Sequence, residues 1–371
     1  CDAASGCEIA QHSGACDDGK ACTAGAYCKG GVCQAGQKRL GSTEFTLQAS
    51  ASEPRVAVAA TDNGDALLAY VEGNATTKTP LLHVQRRTPP GSIAWAMNTP
   101  LKGDLGEAEL AFIVRSDART WVGGGSADNK TSWWLSLNAA GKGVSTKVLA
   151  TTDGKKQGWT TATAAPGGGL VTVGALSGDS AVRQWTAGGK VAWSTVLSTT
   201  KVPTTPTAVE RVENGYWVTM SQGKAFAPTM VHIDEAGKVN GTLSLAAATA
   251  SDAHYLGNLR VLGLHKTTGG RILAEAWPLV ASTTLPKAKA PRLAILDADG
   301  HRRSVTKPFT ITPDRVLASL ALADGGALLM GATDYSTSTE LNFVRTNAAG
   351  APVQAWSPAT KYGVALAAAT T

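Results

Sequence analysis

Val182-Arg183-Gln184-Trp185-Thr186-Ala187-Gly188-Gly189-Lys190-Val191-Ala192-Trp193 is the stretch that decides the fold. Apolar and polar side chains alternate into a glycine turn and alternate again out of it, which is the pattern of a β-hairpin. The plan recurs through residues 81–95, 133–141, 230–238, 293–300 and 343–350, with turns such as Asn138-Ala139-Ala140-Gly141, Asp234-Glu235-Ala236-Gly237 and Asn347-Ala348-Ala349-Gly350. Upstream of each lies a second hairpin, through Asp62-Asn63-Gly64, Trp121-Val122-Gly123, Gly167-Gly168-Gly169, Asn214-Gly215, Gly269-Gly270 and Asp324-Gly325-Gly326. First strands are predicted to begin near residues 55, 109, 160, 207, 259 and 316. Four strands in each period of roughly 50 residues is the arithmetic of a β-propeller blade.

The sequence therefore predicts an all-β chain, a six-bladed β-propeller over residues 37–371. Residues 40–47 have fourth-strand character with no three strands before them, and residues 362–369 have first-strand character with nothing after them. Joined, they would make a composite latch blade, which keeps a seven-bladed ring open as the alternative. A single blade cannot bury both of its faces, so stability must come from stacking blades around the axis.

The first 36 residues are a different object. Cys1, Cys7, Cys16, Cys22, Cys28 and Cys33 are the only cysteines among 371 residues. A segment this short cannot build a hydrophobic core, whereas disulfides would hold it in an oxidising compartment. No C-x-x-C pair is present and only His12 lies nearby, so bridges are favoured over zinc. Six cysteines allow 15 connectivities, and spacing does not choose among them.

From Cys16 the segment reads Cys16-Asp17-Asp18-Gly19, then Cys22-Thr23, Cys28 and Gly31-Val32-Cys33. This resembles the cysteine-rich C-T-D-C repeat of slime-mould extracellular matrix proteins, also frequent in bacterial surface proteins. The family's Asp after Cys-Thr is replaced here, with Gly25 two residues on and the next cysteine delayed to Cys28. Cys1 to Cys7 looks like the second half of a preceding copy, which predicts further repeats upstream. A competing reading makes Cys1 the lipidated first residue of a lipoprotein and leaves one thiol unpaired. The body resembles bacterial surface propellers with D-G-G-x-x-x-x-G … G-x-x-x-W repeats and, more distantly, quinoprotein propellers. The fourth-strand tryptophans Trp95, Trp193 and Trp356 carry that likeness, and packing between blades is their expected role.

Charge and composition exclude several classes of function. The net charge is +6, with 17% charged residues. The head carries Lys20 and Lys29 against Asp2, Glu8, Asp17 and Asp18, so the positive surplus resides in the body. The basic pairs Arg86-Arg87 and Arg302-Arg303 lack the interleaved aromatics of a nucleic-acid surface, and no apolar run is long enough for a spanning helix. The six histidines show no H-x-H or H-x-x-x-H spacing, and no G-x-S-x-G elbow, phosphate loop or dinucleotide fingerprint occurs. No cofactor or metal is expected.

Any site would sit where first strands begin, because those starts converge from different blades on one channel mouth. Arg55, Glu109, Arg260, Arg315 and Tyr362 hold such positions. The sequence thus points to a secreted or cell-surface, non-catalytic scaffold in which a cysteine-rich stalk presents a propeller to a matrix or envelope protein or polysaccharide. The rival is an extracellular enzyme, such as a polysaccharide lyase, glycosidase or quinoprotein-like oxidoreductase, working at the mouth. Glycosidase action requires two facing carboxylates, and Glu109 is the single acid among these candidates.

Overall fold

The computed structural model describes residues 23–24, 27–29, 32–34, 37–38, 56–61, 65–72, 80–88, 92–101, 108–126, 130–150, 158–197, 204–222, 227–244, 259–266, 272–278, 292–296, 302–306, 315–322, 325–334 and 339–356. Residues 40–47 and 362–369 lie outside them.

Among the described residues, six four-stranded antiparallel sheets follow one another along the chain, each a simple meander. Blade 1 comprises Val56–Ala60, Ala66–Glu72, Leu81–Arg87 and Ile93–Pro100. Blade 2 comprises Ala108–Ser116, Arg119–Ser126, Thr131–Leu137 and Gly143–Ala150, and blade 3 comprises Gly158–Ala165, Gly169–Leu176, Asp179–Trp185 and Val191–Val196. Blade 4 comprises Thr204–Val212, Gly215–Gln222, Ala227–Ile233 and Val239–Ser244. Blade 5 comprises Leu259–Lys266, Ile272–Pro278, Arg292–Leu296 and Arg302–Thr306, and blade 6 comprises Arg315–Ala321, Ala327–Asp334, Thr339–Thr346 and Pro352–Trp356. First strands of successive blades lie side by side from blade 1 to blade 6, and the fourth strands of blades 1 and 3 alternate between exposed and half-buried residues. The protein is a β-propeller whose first strands are innermost and whose fourth strands form the rim.

The turn sequences explain the repeat. Between third and fourth strands, the Gly141, Gly189, Gly237 and Gly350 amides donate to the carbonyls of Asn138, Thr186, Asp234 and Asn347. The side chains of Asn138, Asp234 and Asn347 each accept two further backbone N–H groups, two and four residues on. Thr186 has a shorter side chain and accepts one, from Lys190. An Asx side chain organising its own turn is why these residue types occupy that position. Each such hairpin carries a register shift in its last pair, as at Gln184/Trp185 and His232/Ile233.

Blades are joined through their faces. Leu67, Leu82 and Val84 of blade 1 pack with Ile113, Val122 and Leu135 of blade 2. Between blades 2 and 3 the core is indole-rich, with Trp121, Trp134, Trp185 and Trp159 in edge-to-face succession at centroid separations of 5.0, 5.3 and 6.2 Å. Val171, Val173 and Val182 of blade 3 meet Val209, Val218 and Val231 of blade 4, and Leu293 and Ile295 of blade 5 meet Leu329 and Val344 of blade 6. Hydrogen bonds pin the same seams, from Ser116 Oγ to the Ala165 carbonyl (2.9 Å) and from Thr160 Oγ1 to the Pro206 carbonyl (3.2 Å).

Trp95 and Trp193 bear out their packing role. Trp95 covers Gly141 in the next blade's hairpin, and Trp193 covers Gly237. Trp356 is not their equivalent. The first residues of the paired fourth strands are Ile93, Val191 and Pro352, so the counterpart of Trp95 and Trp193 is Gln354, and Trp356 lies two residues further along. In blade 2 the position falls to Ser145, which is too short to cover a turn. Trp134 reaches across from the third strand and covers Gly189 instead.

In the head, Tyr27–Lys29 pairs with Val32–Gln34, placing Cys28 opposite Cys33, and Thr23–Ala24 pairs with Gln37–Lys38. Cys1, Cys7, Cys16 and Cys22 lie outside the described residues.

Candidate functional site

The candidate site is built on an irregularity that five inner strands share. In blades 2 to 6 the first strand carries one extra residue relative to the second: Ala111, Thr160, Thr207, Leu262 and Leu317. Such bulges bend a strand and re-aim its neighbours. The residue two positions before each bulge is Glu109, Gly158, Thr205, Arg260 and Arg315, paired with Gly125, Ala175, Ser221, Trp277 and Ala332 respectively. Three of the five residues expected at the mouth therefore share one register position at the ends where first strands begin, which we call the upper end. Arg55 and Tyr362 lie outside the described residues. Among the described residues at this level Glu109 is the one carboxylate, and the two arginines come from adjacent blades.

A polar cluster that sequence reasoning missed stands at the same end of blade 1. His83 stacks on Tyr70 with ring centroids 4.5 Å apart and 8° between planes. Its Nε2 lies 2.8 Å from Glu72 Oε2, and its Nδ1 lies 2.9 Å from Asn98 Oδ1. Tyr70, His83 and Asn98 are direct cross-strand partners, so the sheet register alone assembles them on one face. Burial, reinforced by the Glu72 charge, raises the Tyr70 phenol above its ordinary value. The opposite face of blade 1 carries Leu67, Leu82 and Val84 toward blade 2.

The lower end, where first-to-second and third-to-fourth hairpins turn, carries a second group of perturbed side chains. Glu210, at the end of the blade 4 inner strand, is pushed up to about 8 by burial. Backbone N–H groups of Lys266 and Arg211 and the Lys266 charge oppose that shift without cancelling it. Across the sheet from Glu210 come Trp217 and then His232, whose rings are 4.9 Å apart. Burial lowers the His232 imidazole. On the other face of the same blade, Tyr216 is fully buried and its phenol is pushed up to about 12. The sequence signal for both groups was present as residue identity, but only the strand register shows which of them meet.

No protein-family model matches the chain, and no curated protein matches it. Solved structures similar to it include Sqt1 from Chaetomium thermophilum, at 14% identity over 81% of this chain and 73% of that one, with a TM-score of 0.49. Prolyl oligopeptidase B from Galerina marginata is similar at 8% identity over 78% of this chain and 39% of that one, with a TM-score of 0.46. The calcium-binding protein regucalcin from Agrobacterium tumefaciens is similar at 12% identity over 76% and 84%, with a TM-score of 0.37. These proteins differ from one another in activity, and no activity passes from them to this chain.

Proposed function

We propose that this protein is an extracellular or cell-surface binding scaffold, its propeller presented on the cysteine-rich head and its upper mouth receiving a matrix or envelope protein or polysaccharide. The observation that carries the reading is the common level of Glu109, Arg260 and Arg315 on three inner strands. Groups of opposite charge held on separate strands of a rigid scaffold can hold a polar ligand in a fixed orientation. Among the described residues that level holds one carboxylate, which suits binding better than glycoside cleavage, a reaction that works through two. The six cysteines within the first 33 residues support an oxidising, extracellular setting.

The test is incubation of the protein with purified envelope polysaccharide and with extracellular-matrix protein, each immobilised. Saturable retention with the polysaccharide recovered at its original chain length is the expected result. Shortened chains or newly formed reducing ends would replace the scaffold reading with the enzymatic one.

A further inference from the structure

Arg260 and Arg315 hold the same register position on the first strands of adjacent blades, so two cationic residues are set next to each other at the level of the mouth. Their direct cross-strand partners are Trp277 and Ala332, and neither is a carboxylate. From blade 2 to blade 4 the same level carries Glu109, Gly158 and Thr205. Among the described residues the level is therefore bipolar: two bases stand together on blades 5 and 6, and the one acid stands three blades from Arg260. Like charges on neighbouring strands repel, and an anion received between them removes that cost. Trp277 narrows the choice of anion. As a direct cross-strand partner it shares a sheet face and a level with Arg260. An indole beside a guanidinium suits a sugar acid, whose ring has an apolar C–H face and whose anionic group takes charge-assisted hydrogen bonds.

We propose that the mouth selects a saccharide bearing an anionic group, a carboxylate or a sulfate, which Arg260 and Arg315 receive while Trp277 meets the sugar ring and Glu109 accepts from hydroxyls on the far side. This inference rests on the mouth reading given above and narrows it to acidic polysaccharide. An acidic peptide fits less well. It brings no ring face to Trp277, and it offers Glu109 further carboxylates where a sugar acid offers hydroxyl donors.

The experiment titrates the intact protein, by calorimetry, with trigalacturonate and with its full methyl ester, which keeps the hydroxyls and removes the charge. Maltotriose and its sulfated form make the second arm and separate sulfate from carboxylate as the anionic group. Salt is held at about 0.15 M, which screens exposed charges more than about 8 Å apart. At least one charged saccharide is expected to bind about tenfold or more tighter than its neutral counterpart. That preference falls to within about twofold in the double variant Arg260→Gln with Arg315→Gln. It survives in Lys142→Gln with Lys190→Gln and Lys238→Gln, which removes three exposed cations from the third-to-fourth-strand hairpins. Equal affinity for charged and neutral forms would overturn the inference and leave the mouth as a site for neutral polar ligands. Absence of binding to all four saccharides would overturn it as well, whereas the mouth reading answers to its own retention assay. So would an unchanged preference in a double variant that unfolds cooperatively, or an equal loss in the lysine variant. The comparison of charged with neutral forms needs only the parent protein, so it decides even where a variant fails to fold.

Discussion

The indole of Trp193 lies against Gly237 of the following blade, and its Nε1 donates a 2.9 Å hydrogen bond to the neighbouring Glu235 carbonyl. Gly237 has a φ of +86°, and a Cβ built on it would fall 2.6 Å from Trp193 Cδ2. Both the conformation and the contact therefore require glycine. Gly237→Ala is expected to destabilise the protein by roughly 2–4 kcal/mol, through left-handed strain together with displacement of the indole. Gly241→Ala, where a Cβ would meet nothing within 4 Å, is expected to change stability by less than about 0.5 kcal/mol. Urea unfolding of the two variants checks the contrast.

Stability should fall as pH rises above neutrality. An acid whose folded value of about 8 exceeds its unfolded value of 4.5 keeps its proton in the fold while the unfolded chain releases it. Folding then loses stability progressively from about pH 4.5 to pH 8. His232 acts oppositely and lower down: burial holds it neutral, so its cost appears only as pH drops below about 6.5, where the unfolded imidazole takes a proton. Between pH 6.5 and 8 the Glu210 contribution stands apart from that of His232. Urea midpoints measured across that window should decline in the parent protein and decline less in Glu210→Gln.

The six-blade meander was legible in the sequence because its turns are chemically specified: the Asn, Asp or Thr that organises a hairpin and the glycine that completes it stand three residues apart. The tryptophan placement was only partly legible. Trp95 and Trp193 follow their turn glycines by four residues and Trp356 follows Gly350 by six, and a shift of two keeps a side chain on the same face of a strand while moving it about 7 Å along. That parity made the three look alike. Trp134 was illegible as a turn cover, because nothing in its own strand shows that Ser145 leaves the Gly189 turn uncovered. The mouth residues Glu109, Arg260 and Arg315 were found by counting strand starts, whereas their common register depends on bulges that no residue type announces. The His83 and Tyr216 clusters depend wholly on cross-strand pairing and seam geometry.

Cys28 and Cys33 stand directly opposite in an antiparallel ribbon, where Cα atoms are about 4.5–5.5 Å apart, inside the range a disulfide spans. A Cys28–Cys33 bridge is the expected pairing. Non-reducing proteolysis with peptide mass mapping should recover these two cysteines in one linked pair, and either of them joined to Cys1, Cys7, Cys16 or Cys22 would refute it.

The most direct test of the binding claim compares the parent protein with a variant carrying Glu109→Gln, Arg260→Gln and Arg315→Gln together. Retention on the immobilised polysaccharide or matrix protein would be measured at constant salt, with the unfolding midpoint recorded alongside. The account predicts at least a tenfold loss of affinity, corresponding to about 1.4 kcal/mol, in a variant that still unfolds cooperatively. Parental affinity in that folded variant would contradict it.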